Sequence, residues 1–303
     1  MSVVAQKGDV LIAVVGVTGA GKSTFINKAT GQTTSSGMRE GNTLRSCTQK
    51  VQVARCQIGG KWVCLIDTPG FDDTNVMDSD TLKSIADFLH LSYRDNKLLH
   101  GVILLHPIDG TRVTGSERRR TRLFEKICGA NAYARIVIAT TMWEKMANQA
   151  EGARHTQERI ADKEFWGAMV SQGAKVEKHL NNAQSARKIV SMVVNNPSVV
   201  LQMQRELNQH QGSVYNTSAG KQLDADLDQT GDQVRREIDK LRGERNAAAE
   251  IQELRAELAK VEEDRQRLRS AKTSWQLLTP AWLATLITGA GVAIASPAAC
   301  IVQ

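Results

Sequence analysis

The chain has 303 residues, a formal net charge of +7 and a hydrophobic fraction of 41%, which suits one core domain with an appendage. Aromatic residues make up only 4%, and the basic stretch at residues 112–126 has the composition of a solvated helix face, so we expect no nucleic-acid partner. The five cysteines show no paired spacing and the first residues form no apolar leader, which predicts a reduced, cytoplasmic protein.

The first predicted element is an apolar strand at residues 10–15, and a glycine-rich loop follows it directly. Residues 16–23, GVTGAGKS, match the pattern G-x-x-x-x-G-K-[ST], and the helical stretch KSTFINKAT begins within the motif. Glycines let such a loop curl until several backbone N–H groups face one phosphate chain, and the helix adds the positive end of its dipole. Lys22 is then expected to bridge the β- and γ-phosphates, and Ser23 to bind Mg²⁺. The predicted nucleotide-binding residues of this loop are Thr18, Gly19, Ala20, Gly21, Lys22, Ser23 and Thr24.

Two further strands are predicted around Gly59 and Gly60, where the sequence QKVQVARCQIGGKWVCLID has the signal of a β-hairpin. The second strand ends in Asp67, the first residue of DTPG. A carboxylate at this place is suited to hold Mg²⁺ through water, and Gly70 can turn its N–H towards a γ-phosphate. These residues predict a sensor of the γ-phosphate.

The Thr-rich stretch GQTTSSGMREGNTLRSCT precedes this hairpin. A flexible stretch followed by a hairpin that delivers D-x-x-G is the order of the two switch regions in GTPases. One threonine of the first switch must reach the metal and the γ-phosphate, and we predict Thr48, at the start of the strand, over Thr43. The predicted metal ligands are therefore Ser23, Thr48 and Asp67, and the predicted catalytic residues are Lys22, Thr48 and Gly70.

Five motifs resemble those of a fungal P-loop GTPase related to the immunity-associated (GIMAP-type), Toc and septin-like GTPases. They are GVTGAGKSTFIN, SCTQKVQ, LIDTPGFDDT, GVILLHPIDGTRVTGS and IVIATTMWE, and the similarity covers roughly residues 8–195. The resemblance implies an α/β fold, a G domain whose mostly parallel sheet is flanked by helices, with Mg²⁺ and GTP or GDP as ligands. The alternation of apolar and helical stretches predicts the same sheet, because GVILLHP and ARIVIATT read as strands and SERRRTRLFEKIC as the helix between them.

The segment expected to contact guanine differs from the corresponding motif of the commoner GTPases. Those use N-K-x-D after the fifth strand, whereas this chain has TMWE at residues 141–144, a departure that fungal members of the resemblance group share. Glu144 keeps a carboxylate for the N1 and N2 groups of guanine, and Trp143 is expected either to lie against the base or to pack the strand end. The candidate contacts to the base are Thr141, Trp143 and Glu144, with Ser185 and Ala186 in the segment 173–186 as the last base-contacting loop.

Hydrolysis is expected to be slow in the isolated domain. Ras-like enzymes orient the attacking water with a glutamine directly after D-x-x-G, and this chain has Phe71 there, whose ring offers no hydrogen bond. A partner subunit across the nucleotide face, Asp72 or Asp73, or another switch residue would have to position the water. The resemblance to septin-like GTPases implies that the nucleotide face is also a dimer face.

The end of the fourth strand has two features of its own. His106 is predicted either to be structural or to support a residue of the site, because nothing nearby completes a catalytic pair. Arg112 and Thr114 follow the strand and are candidates for contact with a partner.

After residue 185 the pattern is helical. The sequence ARKIVSMVV reads as the closing helix of the G domain, ended at Pro197. Between residues 222 and 272 apolar residues recur at coiled-coil-like spacing in two blocks, and the register breaks at residues 243–249. We expect a long, charge-laced helical stretch that either docks on the G domain or self-associates. The predicted units are a GTP-binding G domain at 1–210, a helical or coiled-coil extension at 211–272 and an apolar tail at 273–303.

The tail contains no charged residue after Lys272. It is long enough for a bilayer, but Pro280 and Pro297 bracket only 16 residues, so a tail anchor, a shallow membrane-inserted hairpin and an apolar flap all stay open. The final CIVQ fits C-a-a-X, which makes Cys300 a candidate for farnesylation. Four basic residues just upstream would suit an acidic cytoplasmic leaflet, namely Arg265, Arg267, Arg269 and Lys272.

Three classes of function compete. The prediction is a GTP-hydrolysing assembly switch at the cytoplasmic face of a membrane, with a homodimer or oligomer formed through the nucleotide face or the coiled coil. The second class is a scaffold in which bound nucleotide cements oligomers, as the missing glutamine allows. The third is an ATP-using P-loop enzyme, which the absence of N-K-x-D leaves open.

Overall fold

The structure, a computed structural model, describes residues 8–32, 51–70, 77–110, 113–146, 148–244 and 247–273. These residues form a six-stranded sheet with helices on both faces and a pair of long helices packed on one side. Several residues named above lie outside the described residues, among them Thr43, Thr48, Phe71, Arg112 and Cys300.

The strands are β1 (Val10–Gly16), β2 (Gln52–Ile58), β3 (Lys61–Asp67), β4 (Gly101–Pro107), β5 (Ile136–Thr141) and β6 (Lys175–Lys178). Their order across the sheet is β2-β3-β1-β4-β5-β6. Among these strands β2 pairs antiparallel with β3, and the other neighbouring pairs are parallel. The mostly parallel sheet is thereby confirmed, and its parallel strands end at one edge, where α/β proteins place their ligands.

The helices are α1 (Lys22–Thr30), α2 (Asp78–Arg94), α3 (Gly115–Cys128), α4 (Gln149–Ala161), α5 (Ala168–Ser171), α6 (Ala183–Ser191), α7 (Gln202–Gln209), α8 (Ser218–Leu241) and α9 (Ala248–Ser270). Two 3₁₀ turns, Ala130–Arg135 and Trp143–Lys145, flank β5, and a π-helical turn, Lys163–Gly167, leads into α5. Both ends of β5 are therefore fixed by short helical turns.

The central strand β1 is buried on both faces, as expected of a strand inside a parallel sheet. Its side chains alternate with the strand period of two. Ile12 and Val14 belong to the core that contains α1 and α6, whereas Leu11 and Ala13 belong to the core that contains α2 and α3. The sheet is thus held on both sides, and the loops at its carboxyl edge start from a rigid base.

The β2–β3 hairpin turns at the two glycines that the sequence indicates. Gly59 and Gly60 have φ angles of 59° and 75°, and Ile58 pairs directly with Lys61. Two successive left-handed residues are what a two-residue type I′ turn requires. The predicted hairpin is confirmed, and it delivers Asp67 to the edge of the sheet beside β1.

Helix α6 ends earlier than predicted, at Ser191 rather than near Pro197. The N–H groups of Met192 and Val193 donate to carbonyls three residues back, which tightens the chain into turns. These turns bring Val193 onto the start of β4, where a Cβ added to Gly101 would lie 2.6 Å from Val193 Cβ. The turns that follow α6 thus pack Val193 against the start of β4.

Helices α8 and α9 pair with each other in antiparallel fashion. Arg235 near the end of α8 bonds Glu262 in α9, and Asp224 near its start bonds Arg265. The connection at residues 242–247 coincides with the predicted break in register. Helix α8 packs on α3 and α9 packs on α2, so the extension docks in cis on the sheet domain.

Three of the four basic residues expected to suit an acidic leaflet form ion pairs with carboxylates of this chain. Arg265 bonds Asp224, and the guanidinium of Arg269 lies 3.4 Å from the same carboxylate. Arg267 pairs with Asp80 of α2 at 3.3 Å. Each of these three guanidiniums therefore has a carboxylate partner among the described residues.

Within the described ranges no helix combines the length and the apolar character that a membrane span requires. The predicted apolar tail lies outside them from residue 274 onward.

Candidate nucleotide site

The glycine-rich loop lies between the end of β1 and the start of α1. Gly21 caps α1 with a φ of 89°, a left-handed conformation that favours glycine. Gly16 closes against β4, because a Cβ added to it would lie 2.5 Å from the carbonyl O of Leu105. The N–H of Ala20 donates to the carbonyl O of Val17 at 3.1 Å and turns the chain between them. The left-handed conformation of Gly21 and the close packing of Gly16 on β4 therefore agree with the predicted curl of the loop.

Lys22 is the buried cation of the loop. Its Nζ donates to the carbonyl O of Gly16 and to that of Val17, both at 3.0 Å. Burial lowers the pKa of Lys22 to about 8, and the nearby charge of Asp67 opposes this shift. Burial disfavours the charged form of an ammonium. An anion bound in the loop would therefore stabilise that charged form.

Ser23 and Asp67 meet beside the lysine. The Ser23 hydroxyl donates to Asp67 Oδ2 at 2.7 Å, and Asp67 is fully buried at the end of β3, in register with Val14. A hydroxyl and a carboxylate oxygen are the hard oxygen ligands that suit Mg²⁺. Thr24 follows on the first turn of α1 and is half-buried. The described part of the predicted metal set therefore comes together, while its third member, Thr48, lies outside the described residues.

Gly70 lies directly against the glycine-rich loop. A Cβ added to Gly70 would lie 2.6 Å from the backbone N of Thr18 and 2.8 Å from both Lys22 Nζ and Thr18 Oγ1. A side chain at position 70 would therefore displace either the loop or the lysine. Gly19, at the exposed tip of the loop, has a φ of 80°. The structure thus brings the end of DTPG into contact with the glycine-rich loop.

Thr141 and Trp143 follow the end of β5. Thr141 donates its hydroxyl to the carbonyl O of Ala20 at 3.2 Å, which ties this strand end to the phosphate loop. Trp143 is buried, its Nε1 donates to the carbonyl O of Thr140 at 3.1 Å, and Lys178 Nζ lies 3.8 Å from the centre of its ring. Of the two roles expected for Trp143, the structure shows packing of the strand end.

Glu144 and the loop after β6 lie at the same end of the site. Glu144 is exposed, and its charge acts on His179, whose pKa burial lowers to about 4 against that charge. The Ser185 hydroxyl accepts from the N–H of Leu180 at 3.1 Å and lies 2.9 Å from His179 Nδ1. Ser185 thus fixes the loop, and Ala186 is fully buried. Glu144 thus offers an exposed carboxylate at this end of the site.

His106, Glu117 and Arg159 form a buried charged cluster at the end of β4. His106 Nε2 and Arg159 lie 3.3 Å and 3.7 Å from the same oxygen of Glu117. Contacts with this carboxylate hold its pKa at about 2, whereas burial lowers the pKa of His106. His106 is therefore neutral at pH 7, and Arg159 supplies the balancing positive charge. The structure agrees with a structural His106, while the sequence pattern of α4 does not single out Arg159.

The sheet, the glycine-rich loop, the buried lysine and the Ser23–Asp67 pair together define a P-loop nucleotide-binding protein with a G-domain fold. The model of the AIG1 family matches residues 10–226, and the chain belongs to this family.

Solved structures show the same fold. Toc33 from Arabidopsis thaliana in complex with GDP and Mg²⁺ aligns with a TM-score of 0.50 at 14% identity, over 62% of this chain and 84% of that one. A structure described as showing that dimerization is important for the GTPase activity of the chloroplast translocon components atToc33 and psToc159 aligns with a TM-score of 0.51 at 13% identity, over 64% and 86%.

Proposed function

We propose that the chain binds GTP with Mg²⁺ and hydrolyses it slowly. The observation that carries this proposal is the buried Lys22 ammonium, held under a glycine loop by carbonyl oxygens and with its pKa lowered by burial. A triphosphate tail is a ligand that stabilises its charged form and fits a loop lined by backbone N–H groups. The Toc33 structure solved with GDP and Mg²⁺ supports the same class of ligand.

Each residue of the site has a separate role in this proposal. Lys22 binds phosphate oxygens and offsets their charge, and Gly70 allows the backbone after β3 to approach the γ-phosphate because it has no side chain. Ser23 and Asp67, which bond each other here, are the groups that would hold Mg²⁺, together with Thr48 from the first switch. When bound, Mg²⁺ supplies neutralisation of charge on the β- and γ-phosphates.

Guanine rather than adenine is the proposed base. The exposed Glu144 stands where the commoner GTPases place the aspartate that bonds guanine, and its carboxylate can accept from the N1 and N2 groups. Adenine has no donor at N1, so a carboxylate there gives it no matching contact. Trp143, buried under Lys178, supports the loop from behind.

Titration of the purified chain with fluorescent GTP and ATP, with and without Mg²⁺, tests this proposal. We expect GTP to bind at least tenfold more tightly than ATP, and Lys22→Ala to lose about a hundredfold in GTP affinity. Lys28→Ala, an exposed lysine on the same helix, is the matched control. Tighter binding of ATP would establish the ATP-using alternative, and an unchanged affinity in Lys22→Ala would refute the site.

We further propose that two copies of the chain meet across the nucleotide face and that hydrolysis depends on this assembly. Phe71 replaces the water-orienting glutamine, so the water needs another group. In the chloroplast proteins atToc33 and psToc159, dimerization is important for GTPase activity, which supports the same dependence here. Turnover per chain should therefore rise with protein concentration. If bound nucleotide caused the chain to assemble but no hydrolysis was measured at any protein concentration, the scaffold alternative would be favoured.

Action at the cytoplasmic face of a membrane is the last part of the proposal. It is supported by the uncharged stretch after Lys272 and by CIVQ at the end, with Cys300 as the lipidation candidate. Fractionation of cells that express the chain tests it, with Cys300→Ser and a chain ending at residue 273 as variants. Loss of membrane binding only in the shorter chain would assign the attachment to the apolar stretch. Full recovery of every form in the soluble fraction would refute it.

A further inference from the structure

His179 directly follows β6, at the carboxyl edge of the sheet. Its backbone N–H donates to the carbonyl O of Thr140 at 2.9 Å, so the residue continues the pairing of β6 with β5. Its side chain is buried, with 4% exposed, and the charge of Glu144 acts on the imidazole. The ring therefore lies inside the fold at the end of the site that is proposed to hold the base.

Two contacts hold the imidazole in place. The ring meets that of Phe25 edge to face, with 5.1 Å between the ring centres, and Phe25 is fully buried on α1 shortly after Ser23. The ring nitrogen Nδ1 lies 2.9 Å from the hydroxyl of Ser185. The imidazole is thus fixed between the helix of the phosphate side and the loop of the base side.

The hydroxyl of Ser185 determines which nitrogen of the ring carries the proton. This hydroxyl donates its single proton to the carbonyl O of Asn182 at 3.1 Å. It therefore accepts from His179, which places the ring proton on Nδ1 and leaves a lone pair on Nε2. Burial lowers the pKa of His179 to about 4, so the ring is neutral at pH 7 and Nε2 is a hydrogen-bond acceptor.

This Nε2 is available to a ligand. It has no hydrogen-bond partner among the residues that the structure describes. It is also not enclosed there, in contrast to Nε2 of His106 and of His155. A buried imidazole whose open nitrogen is an acceptor, close enough to Glu144 to respond to its charge, suits a ligand with several adjacent donors.

Guanine has such a set of donors. Its N1 carries one hydrogen, and its N2 amino group carries two. The carboxylate of Glu144 can accept from N1 and from one hydrogen of N2, which leaves the second hydrogen of N2 without a partner. A donor that loses water on binding and finds no acceptor weakens the complex. A neutral imidazole beside the carboxylate can supply the missing acceptor.

We propose that His179 is a specificity-determining residue, whose Nε2 accepts a hydrogen bond from the N2 amino group of bound guanine. The inference rests on the guanine part of the proposed function and assigns a second acceptor beside Glu144. The nucleotide that tests it is inosine triphosphate (ITP), which differs from GTP only in lacking the N2 amino group.

The experiment measures GTP and ITP binding, with Mg²⁺, to the full chain and to variants of His179. In His179→Asn the amide nitrogen can still donate to Ser185, but no atom takes the place of Nε2. We expect this variant to bind GTP about five- to tenfold more weakly and ITP within about twofold of the parent chain. His179→Gln can place an oxygen near the position of Nε2 and should recover part of the GTP affinity. His210→Asn, at an exposed histidine, should match the parent chain.

NMR of the ring nitrogens in the parent chain covers the case that the variants do not fold, which thermal unfolding would show. In the free chain we expect His179 to carry its proton on Nδ1. The Nε2 signal should shift when GTP binds and should stay in place when ITP binds. A ring proton found on Nε2 would overturn the inference, because that nitrogen could then not accept.

The outcomes separate this inference from the proposed function. A parent chain that does not bind GTP, or that binds ATP more tightly, would refute the proposed function and this inference with it. A chain that prefers GTP to ATP but binds ITP as tightly as GTP would overturn this inference alone. Equal losses of GTP and ITP affinity in His179→Asn would also overturn it, because the residue would then only hold the loop. An unchanged GTP affinity in a folded His179→Asn chain would overturn it as well.

Discussion

Asp264, near the end of α9, accepts a hydrogen bond from the backbone N–H of Ser79 at 3.1 Å and so caps the first turn of α2. The two residues are 185 positions apart. Helix α2 has no cap of its own, since its N-cap residue Met77 contributes no side-chain hydrogen bond. The carboxylate also meets the positive end of the helix dipole. A residue of α9 therefore caps α2, the first described helix after DTPG.

Removal of this cap is expected to destabilise the fold. Asp264→Ala should lower the free energy of unfolding by about 1–2 kcal/mol, the usual cost of losing an N-cap, and Asp264→Asn should lose less because the amide oxygen still accepts. Urea unfolding measures both. Glu263→Ala, at an exposed neighbouring position, should stay within about 0.5 kcal/mol of the parent. Equal losses in Asp264→Ala and Glu263→Ala would contradict the capping role.

Acid should weaken the cluster around Glu117. The pKa of Glu117 lies at about 2 in the fold and near 4.5 when free, so its stabilisation is complete above pH 4.5 and is lost as the pH falls towards 2. The lowered pKa of His106 works in the same direction below pH 6.5, because its unfolded form takes up a proton first. Glu117→Gln should cost up to about 3 kcal/mol at pH 7, and most of that difference should vanish by pH 3.

Unfolding by urea at pH 7, 4 and 3 measures this difference. Glu125→Gln, on the same helix, is the control of opposite sign, because burial raises the pKa of Glu125 and its ionised form is disfavoured in the fold. A Glu117→Gln chain whose deficit stays constant from pH 7 to pH 3 would show that the carboxylate is not held ionised.

Gly70 should tolerate no side chain. Its position leaves 2.6 Å between an added Cβ and the backbone N of Thr18, so Gly70→Ala must displace the glycine-rich loop or Lys22. We expect a loss of about 1–3 kcal/mol in stability and at least a tenfold loss in GTP affinity. Gly115→Ala is the control, since its nearest contact would be at 3.9 Å. GTP titration of Gly70→Ala and Gly115→Ala tests this expectation. Equal GTP affinities would argue against contact between position 70 and the glycine-rich loop.

Glu144 should select the base and also act on His179. Glu144→Gln is expected to weaken GTP binding by about tenfold or more and to leave ATP binding unchanged, because only guanine donates to a carboxylate there. The same change should lower the pKa of His179 further below about 4, since the charge of Glu144 opposes the effect of burial. An NMR titration of the histidine and the two nucleotide titrations give independent readings. Glu158→Gln, exposed on α4, controls for loss of charge alone.

The phosphate side of the site is predictable from sequence because its information is local. The loop from Gly16 to Ser23 is one strand-to-helix connection, and the strand that pairs beside it ends at Asp67, three residues before Gly70. Parallel strands bring such ends to one edge whatever the rest of the chain does. The hairpin at Gly59 and Gly60 is local in the same sense, and the structure confirms it.

The base side of the site and the cluster of His106, Glu117 and Arg159 depend on contacts between residues far apart in the sequence, which no short motif contains. Trp143 packs at the strand end with Lys178, which arrives from β6, over its ring. Arg159 has the sequence surroundings of an exposed helix residue, and its burial follows from the placement of α4 against the segment after β4.

The cap on α2 also bears on how the protein can be divided. The family match stops at residue 226, inside α8, and a fragment cut there would lack α9 altogether. It would lose Asp264 from the start of α2 and the fully buried Leu268 from the core, and Asp226 would become the last residue of a frayed helix. Truncation at the homology boundary would therefore damage α2, the first described helix after DTPG, and a fragment meant to isolate the nucleotide site should extend through residue 273.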